Sequence, residues 1–431
     1  ALKGSEARPL ILAFEDLHWG DKSSEDVLKY VLESIPGAGI LMIFTYRPEF
    51  VHTWGAKSYH NQIMLNRLSN RESLIMASHI LGTQESDEDL EEFILEKSEG
   101  VPFFIEELIK SLKDLKIIER ENNRYRITKD IQEVTIPATV QDVIMARVDS
   151  LPEGTKSLLQ IISAVGRESS YDLIKRVTGL AENELLPQLS VLKDSELLYE
   201  RGIYPQSTYI FKHALTQEVA YNSLLLKRKR EVHEKIGKDI ESLYPDRLEE
   251  YCELLAYHFK NSTASENAVK YLELASQKAA RVNAMEEANT YFDETMALLD
   301  NLPESEENRQ WRISLLVNLG YMFLLLLKPR EYFNLLVRWE PIAKELKNHE
   351  LLGAFYARLG QCEYSFGHFE QAIQTLTKAI QLSEAAGNLE EVEYAYTFLI
   401  AIHLDLSDYD QLFSLKEDAL RILEQKFDPR W

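Results

Sequence analysis

Two neighbouring carboxylates, Glu15 and Asp16, follow directly on an all-apolar run, Leu10 to Phe14. In open α/β sheets ligands bind at the carboxyl ends of the strands. Two acids at such a tip have a defined chemistry, because a nucleotide-bound Mg2+ takes hard oxygen ligands, often through water, and hydrolysis takes a second acid to orient the attacking water. A second apolar run, Ile40 to Tyr46, contains Thr45 and leads into Arg47. Neighbouring parallel strands finish on the same edge, which would bring Arg47 near Glu15 and Asp16, where a guanidinium can read a terminal phosphate. The same residues also suit a strand that merely ends in polar side chains and an arginine that pairs structurally with those acids.

The amphipathic stretch Ser23 to Ser34 lies between the two apolar runs, so the layout predicts one βαβ unit, with Pro36, Gly37 and Gly39 at the helix exit. Neither run alternates, which predicts strands covered by helices on both faces. From Asn70 to Leu115 the pattern is helical, with ILGTQESDED as a linker ahead of SEGVPFFIEELIKSL. IPATVQDVIMARVDSL, TKSLLQIISAV, SYDLIKRVTG and ENELLPQLSVLKDSE read as four helices, and ELLYERGIYPQSTYIFKH alternates around Gly202 and Pro205. A helical cluster closed by a β-hairpin is the winged-helix layout. Everything from Ala214 onward reads as helical.

The last third repeats itself with a spacing of 40 residues: Leu319-Gly320 recurs as Leu359-Gly360 and, degenerately, as Leu399-Ile400. Phe369, Ala372 and Ala379 are matched by Tyr409, Leu412 and Ala419, and Phe292 with Pro303 marks the end of an earlier unit. Small residues where two helices touch and large ones in the gaps are tetratricopeptide-like (TPR-like). Such units bury their apolar faces only by stacking, which predicts a solenoid.

The 431 residues, 45% of them hydrophobic, suffice for about three domains. A net charge of −22 opposes binding to nucleic acid or anionic lipid. Cys252 and Cys362 are the only cysteines and have no CxxC or histidine partners, so neither a disulfide framework nor a zinc site is expected and a reducing, cytoplasmic compartment fits. No run approaches the roughly 18 apolar residues of a membrane span; the nearest, Tyr321 to Leu327, predicts a buried helix. The start, ALKGSEARPLILAF, carries no Met and no signal layout. It is expected to be a cut end with sequence missing upstream, and the repeat region is expected to be truncated at its far end.

EDLHWGDKSS, TYRPEF, EGVPFFIEEL and FKHALTQEVAYNSLL, in this order from about Pro9 to Leu225, resemble the ATPase region attached to many class III adenylate or guanylate cyclases and related bacterial regulators, within the STAND group of signalling ATPases. The resemblance implies ATP or ADP with Mg2+ as cofactor. It places Glu15 at the Walker B metal position with Asp16 as the adjacent acid, and Thr45 and Arg47 on the sensor strand that reads the phosphate end. Gly100 and Pro102 match the GxP turn, whose proline packs against the base. His213 matches the winged-helix histidine that contacts the β-phosphate of ADP, although Ala214 stands where related proteins often have Asp.

A phosphate cradle of the form GxxxxGK[ST] is absent; EGTKSLL at Gly154 lacks the first glycine and the Gly-Lys pair. The chain alone is therefore not expected to hydrolyse ATP, and its first strands, left unpaired at the edge, are expected to associate or order poorly. Lys227 to Arg230 suits a solvated helix face, His18 and Trp19 suit packing of the following helix, and Phe103 and Phe104 suit a helix core. No nucleophile constellation is visible.

The expected fold is multidomain and mainly α. It comprises a partial parallel α/β, P-loop NTPase-like segment over residues 1–68, a helical lid with the GxP turn over 69–135, a winged helix over 136–225 and a TPR-like α-solenoid over 226–431. The expected function is a signal-transduction ATPase segment whose arm senses a protein or small molecule and regulates an upstream output domain such as an adenylate or guanylate cyclase. A non-enzymatic TPR scaffold and a DNA-binding winged helix are the rival readings.

Overall fold

The computed structural model describes residues 2–55, 57–83, 86–114, 116–121, 124–128 and 139–426. The expected boundary at 135/136, the start of the IPATVQDV helix and residues 427–431 of the repeat region lie outside the described residues. The chain is multidomain and mainly α, and divides into two compact units, residues 1–56, 247–257 and 265–431 in the first and 57–246 with 258–264 in the second.

The first unit opens with α1 (Leu2–Ala7), β1 (Leu10–Phe14), α2 (Lys22–Ser34) and β2 (Ile40–Phe44). β1 and β2 pair parallel, from Leu10 opposite Ile40 to Phe14 opposite Phe44. Asp21 starts α2 by accepting from the Ser24 amide at 2.7 Å, satisfying one of the orphan donors of the first turn. Leu28 and Leu32 of α2, with Leu17 and Trp54, bury against Met42 and Phe44. The expectation of helices on both faces is corrected here. Ile11 and Leu41, on the other face, are 69% and 56% exposed. The pleat sends alternate residues to opposite faces, and the one crossover helix covers only one of them.

The second unit begins with α3 (Asn70–Leu81), α4 (Glu88–Ser98) and α5 (Pro102–Asp114), followed by an antiparallel pair, β3 (Ile118–Glu121) and β4 (Arg124–Ile127). Ser69 and Glu72 close a capping box at the start of α3. One core joins α3, α4, α5 and β3 through Leu90, Ile94, Ile105 and Leu108. Next come α6 (Val140–Asp149), α7 (Glu153–Val165), β5 (Glu168–Ser170), α8 (Tyr171–Thr178), α9 (Glu182–Asp194), β6 (Leu198–Arg201), β7 (Thr208–Phe211), α10 (Ala214–Asn222) and α11 (Leu226–Leu243). The β6–β7 hairpin falls where the alternation put it, and β5 pairs along β7 to give the order β5-β7-β6. Helices and sheet share a second core around Leu159, Ile162, Ile174, Leu185 and Phe211.

The first unit resumes at Arg247 and includes α12 (Cys252–Lys260) as far as Tyr257, and from Ser265 it continues through α13 (Ser265–Arg281), α14 (Met285–Asp300), α15 (Glu306–Asn318), α16 (Gly320–Leu325), α17 (Pro329–Ala343), α18 (His349–Ser365), α19 (Phe369–Ala386), α20 (Leu389–Asp405) and α21 (Tyr409–Lys426). The repeat is explicit in the starts of α17, α19 and α21 at Pro329, Phe369 and Tyr409. Ala372 and Ala379 are fully buried where α19 meets its neighbours. Gly320 is required by close approach, because a Cβ there would run into the Tyr332 ring, whose hydroxyl donates to the Leu316 carbonyl at 2.8 Å. Tyr321 to Leu327 is only in part a buried helix, a second correction: Met322 and Phe323 are buried, whereas Tyr321, Leu325 and Leu327 are exposed because α16 is too short to turn every apolar residue inward. Among the described residues no helix is long and apolar enough to cross a membrane. Both cysteines are buried free thiols.

Candidate functional site

The two strand tips end level, with the Phe14 and Phe44 rings stacked 5.7 Å apart. Thr45 fastens one tip to the other. Its amide donates to the Phe14 carbonyl at 3.0 Å, its carbonyl accepts from the Leu17 amide at 2.8 Å, and its hydroxyl accepts from the Asp16 amide at 2.9 Å. Asp16 itself sits in the left-handed region, φ 55°, which short polar residues tolerate better than bulky ones, and so turns the chain into the one-turn 3-10 helix Leu17–Trp19. Glu15, Asp16, Thr45 and Arg47 are all exposed at this edge. Carboxylates in such a position remain open to solvent and can coordinate a hard cation. Trp19 does not pack as expected: it is 75% exposed and its indole donates to His18 Nε2, while Leu17 takes the buried position.

The loop that follows β2 is tied back to α2. Glu25 Oε1 accepts from both the amide and the hydroxyl of Thr53 at 2.7 Å, and His52 stacks on Trp54 at 4.7 Å. Desolvation works to raise the Glu25 pKa, but the Thr53 and Lys22 hydrogen bonds outweigh it and hold it below the ordinary glutamate value.

Gly100, Pro102 and His213 belong to the second unit. Gly100 has φ 75°, and a Cβ there would run into the Leu68 carbonyl, while its own carbonyl accepts from the Leu68 amide at 2.8 Å. Pro102 opens α5, where its missing N–H is not needed. α5 then presents Phe103 to His213, with ring centroids 4.1 Å apart. His213 stands at the N-cap position of α10 without a side-chain cap bond, and its Nε2 is buried with no hydrogen-bond partner. Burial holds its pKa below the ordinary histidine value, so the imidazole is neutral at pH 7.

Sequence reasoning missed Glu106 and Glu107, one turn beyond Phe103 on the same helix. Ligand atoms of Glu106, Glu107 and His213 all lie within 4.8 Å of one another. The acids, however, are already matched by cations. Glu106 accepts from Lys110 at 2.6 Å and Lys212 at 3.0 Å, and Glu107 pairs with Arg147, which also donates to the Ser195 carbonyl at 2.6 Å. Glu196 joins through Lys110 and Lys212, whose hydrogen bonds hold its pKa down at about 2. A metal ion here would have to displace those cations, so the cluster is an ion-pair network binding α5 to α6, the β6 turn and β7. Lys227, Arg228 and Arg230 lie exposed on α11.

A family described as a domain of unknown function, DUF8739, matches residues 69–126. An uncharacterized protein of Rhizobium meliloti (strain 1021) is 23% identical over 319 residues, covering 72% of this chain and 30% of that protein, so the chain spans about a third of the length of this curated relative. Solved structures similar to the chain include a Signal Transduction ATPase with Numerous Domains (STAND) protein with a tetratricopeptide repeat sensor from Pyrococcus horikoshii, at 15% identity and TM-score 0.39 over 97% of this chain and 69% of that one. Aspartyl phosphate phosphatase F from Bacillus subtilis is similar at 14% identity and TM-score 0.36, over 84% of this chain and 77% of that one.

Proposed function

We propose that the chain is a segment of a STAND-type signal-transduction ATPase, in which nucleotide state is coupled to a sensor arm of TPR-like repeats. The observation that carries this reading is the pair of level strand tips, with Glu15 and Asp16 on one and Thr45 and Arg47 on the other, joined by the Asp16 to Thr45 hydrogen bond. Glu15 and Asp16 would hold Mg2+, and Asp16 would orient the attacking water. Thr45 and Arg47 would read the terminal phosphate. ATP with Mg2+, when bound, supplies a transferable phosphoryl group whose charge the metal neutralises. In the second unit, the Gly100–Pro102 turn and His213 are proposed as nucleotide contacts. His213 is neutral there, and its unpartnered Nε2 can donate to a phosphate oxygen only in the tautomer that carries the proton on Nε2. The second unit's helices around β5-β7-β6 are proposed as a winged helix, and the repeats as the sensor of a protein or small molecule. The output under control, such as an adenylate or guanylate cyclase domain, would lie upstream in the same cytoplasmic polypeptide.

The rival reading is a protein-binding TPR-like scaffold with a vestigial ATPase remnant. ATP turnover by the gene product that carries this segment separates the two. Asp16→Asn should retain nucleotide and turn it over at least about tenfold more slowly. Equal turnover removes Asp16 from the role, and no nucleotide binding by the unaltered protein leaves the scaffold.

A further inference from the structure

A carboxylate of the repeat region reaches the α/β segment. Glu287, in the first turn of α14, accepts from the Ser23 amide at 2.9 Å with Oε1, and its Oε2 is buried. Ser23 is the second residue of α2, so its amide is one of the donors that the helix cannot satisfy internally. Asp21 takes the next amide, Ser24, and a negative group is favoured at this positive end of the helix dipole. Two turns of structure therefore meet in series. Glu287 holds the first turn of α2, and in the same turn Glu25 holds Thr53, on the loop that leads back to Arg47 and to Thr45, the partner of Asp16.

We propose that Glu287 is the contact by which the repeat arm restrains the strand tips: it completes the first turn of α2, and withdrawal of α14 by a ligand on the arm loosens that turn and, through Glu25 and Thr53, the loop carrying Arg47. This deepens the ATPase reading, on which its regulatory meaning rests. The contact itself needs no nucleotide.

Residue-resolved amide exchange on the full chain, without nucleotide, tests it. In Glu287→Ala the Ser23 and Thr53 amides should exchange about fivefold faster, the effect of losing one helix-cap hydrogen bond, while α18 and α19 keep their protection. Glu287→Gln retains an acceptor oxygen and should fall between that variant and the unaltered chain. Glu286→Ala, one residue away and exposed, should change neither amide. Unchanged exchange at Ser23 in Glu287→Ala overturns the contact, and faster exchange at Ser23 with none at Thr53 overturns the transmission. Should Glu287→Ala fail to fold, Glu287→Gln decides alone, and wild-type exchange at both amides overturns the proposal. Because no nucleotide is present, failure of the ATPase reading leaves each of these outcomes as it stands.

Discussion

The Asp16 amide donates to the Thr45 hydroxyl at 2.9 Å, across the ends of two parallel strands. Thr45 thus serves the acid tip with its side chain and with both of its backbone groups. The side-chain bond can be removed without altering the backbone groups. Thr45→Val keeps shape and branching while deleting the acceptor, so the strand pair should persist and the Asp16 turn should weaken by about 1 kcal/mol, the net worth of one hydrogen bond. Urea unfolding read at Trp54, buried beneath the same sheet, checks this; a loss above about 3 kcal/mol would mean that the strand itself had been broken.

The buried pair in the second unit should respond more strongly. Glu107 is 1% exposed and faces Arg147, itself 6% exposed. Removing one partner leaves a charge in a place that water does not reach. Arg147→Met should therefore cost about 3–5 kcal/mol, whereas the double change Arg147→Met with Glu107→Met should recover most of it, since a well-packed apolar pair can replace a buried ion pair. Lys110, 3.8 Å from Glu107, softens the single-variant loss. Chemical denaturation of the single and double variants decides: a double variant no more stable than the single one would show that the pair is indispensable for packing rather than a matched charge.

Much of this was legible in the chain itself, for reasons that differ from place to place. The repeat region was readable because Gly320, Gly360, Ala372 and Ala379 are small for steric reasons at a fixed spacing, and spacing is a sequence property. The β6–β7 hairpin was readable from alternation. β5 was not, since Glu168–Ser170 is three polar or small residues that become a strand only beside β7. β3 and β4 carry more charge than apolar surface and gave no strand signal. Glu106 and Glu107 were not singled out, since acids on a helix ordinarily face solvent. The burial of Glu107 and half-burial of Glu106 depend on Arg147 and Lys212, far away in sequence, and no local pattern encodes that. The open face of β1 and β2 was missed for a related reason: an apolar run records that a strand prefers cover, not whether the cover is present.

Acid should act first on the second unit. His233 of α11 and His258 of α12 are fully buried, with their Nδ1 atoms 2.9 Å apart, and the Tyr221 hydroxyl meets His233 Nε2 at 2.9 Å. Burial, reinforced by the Lys229 charge, pushes His233 down to about 4, and burial with the neighbouring imidazole pushes His258 down to about 3. Both rings are therefore neutral in the folded chain and would bind protons more readily once unfolded. Their contribution is complete above the ordinary histidine value of about 6.5, and it is lost as pH falls from there toward 4 and then 3. Thermal unfolding followed from pH 7.5 to pH 4.5 should show a midpoint that declines below pH 6.5. In His233→Phe with His258→Leu that decline should flatten, because neither buried titratable ring remains. A double variant with the same acid slope as the unaltered chain would place the acid sensitivity elsewhere, in the carboxylates paired with Lys110, Lys212 and Arg147.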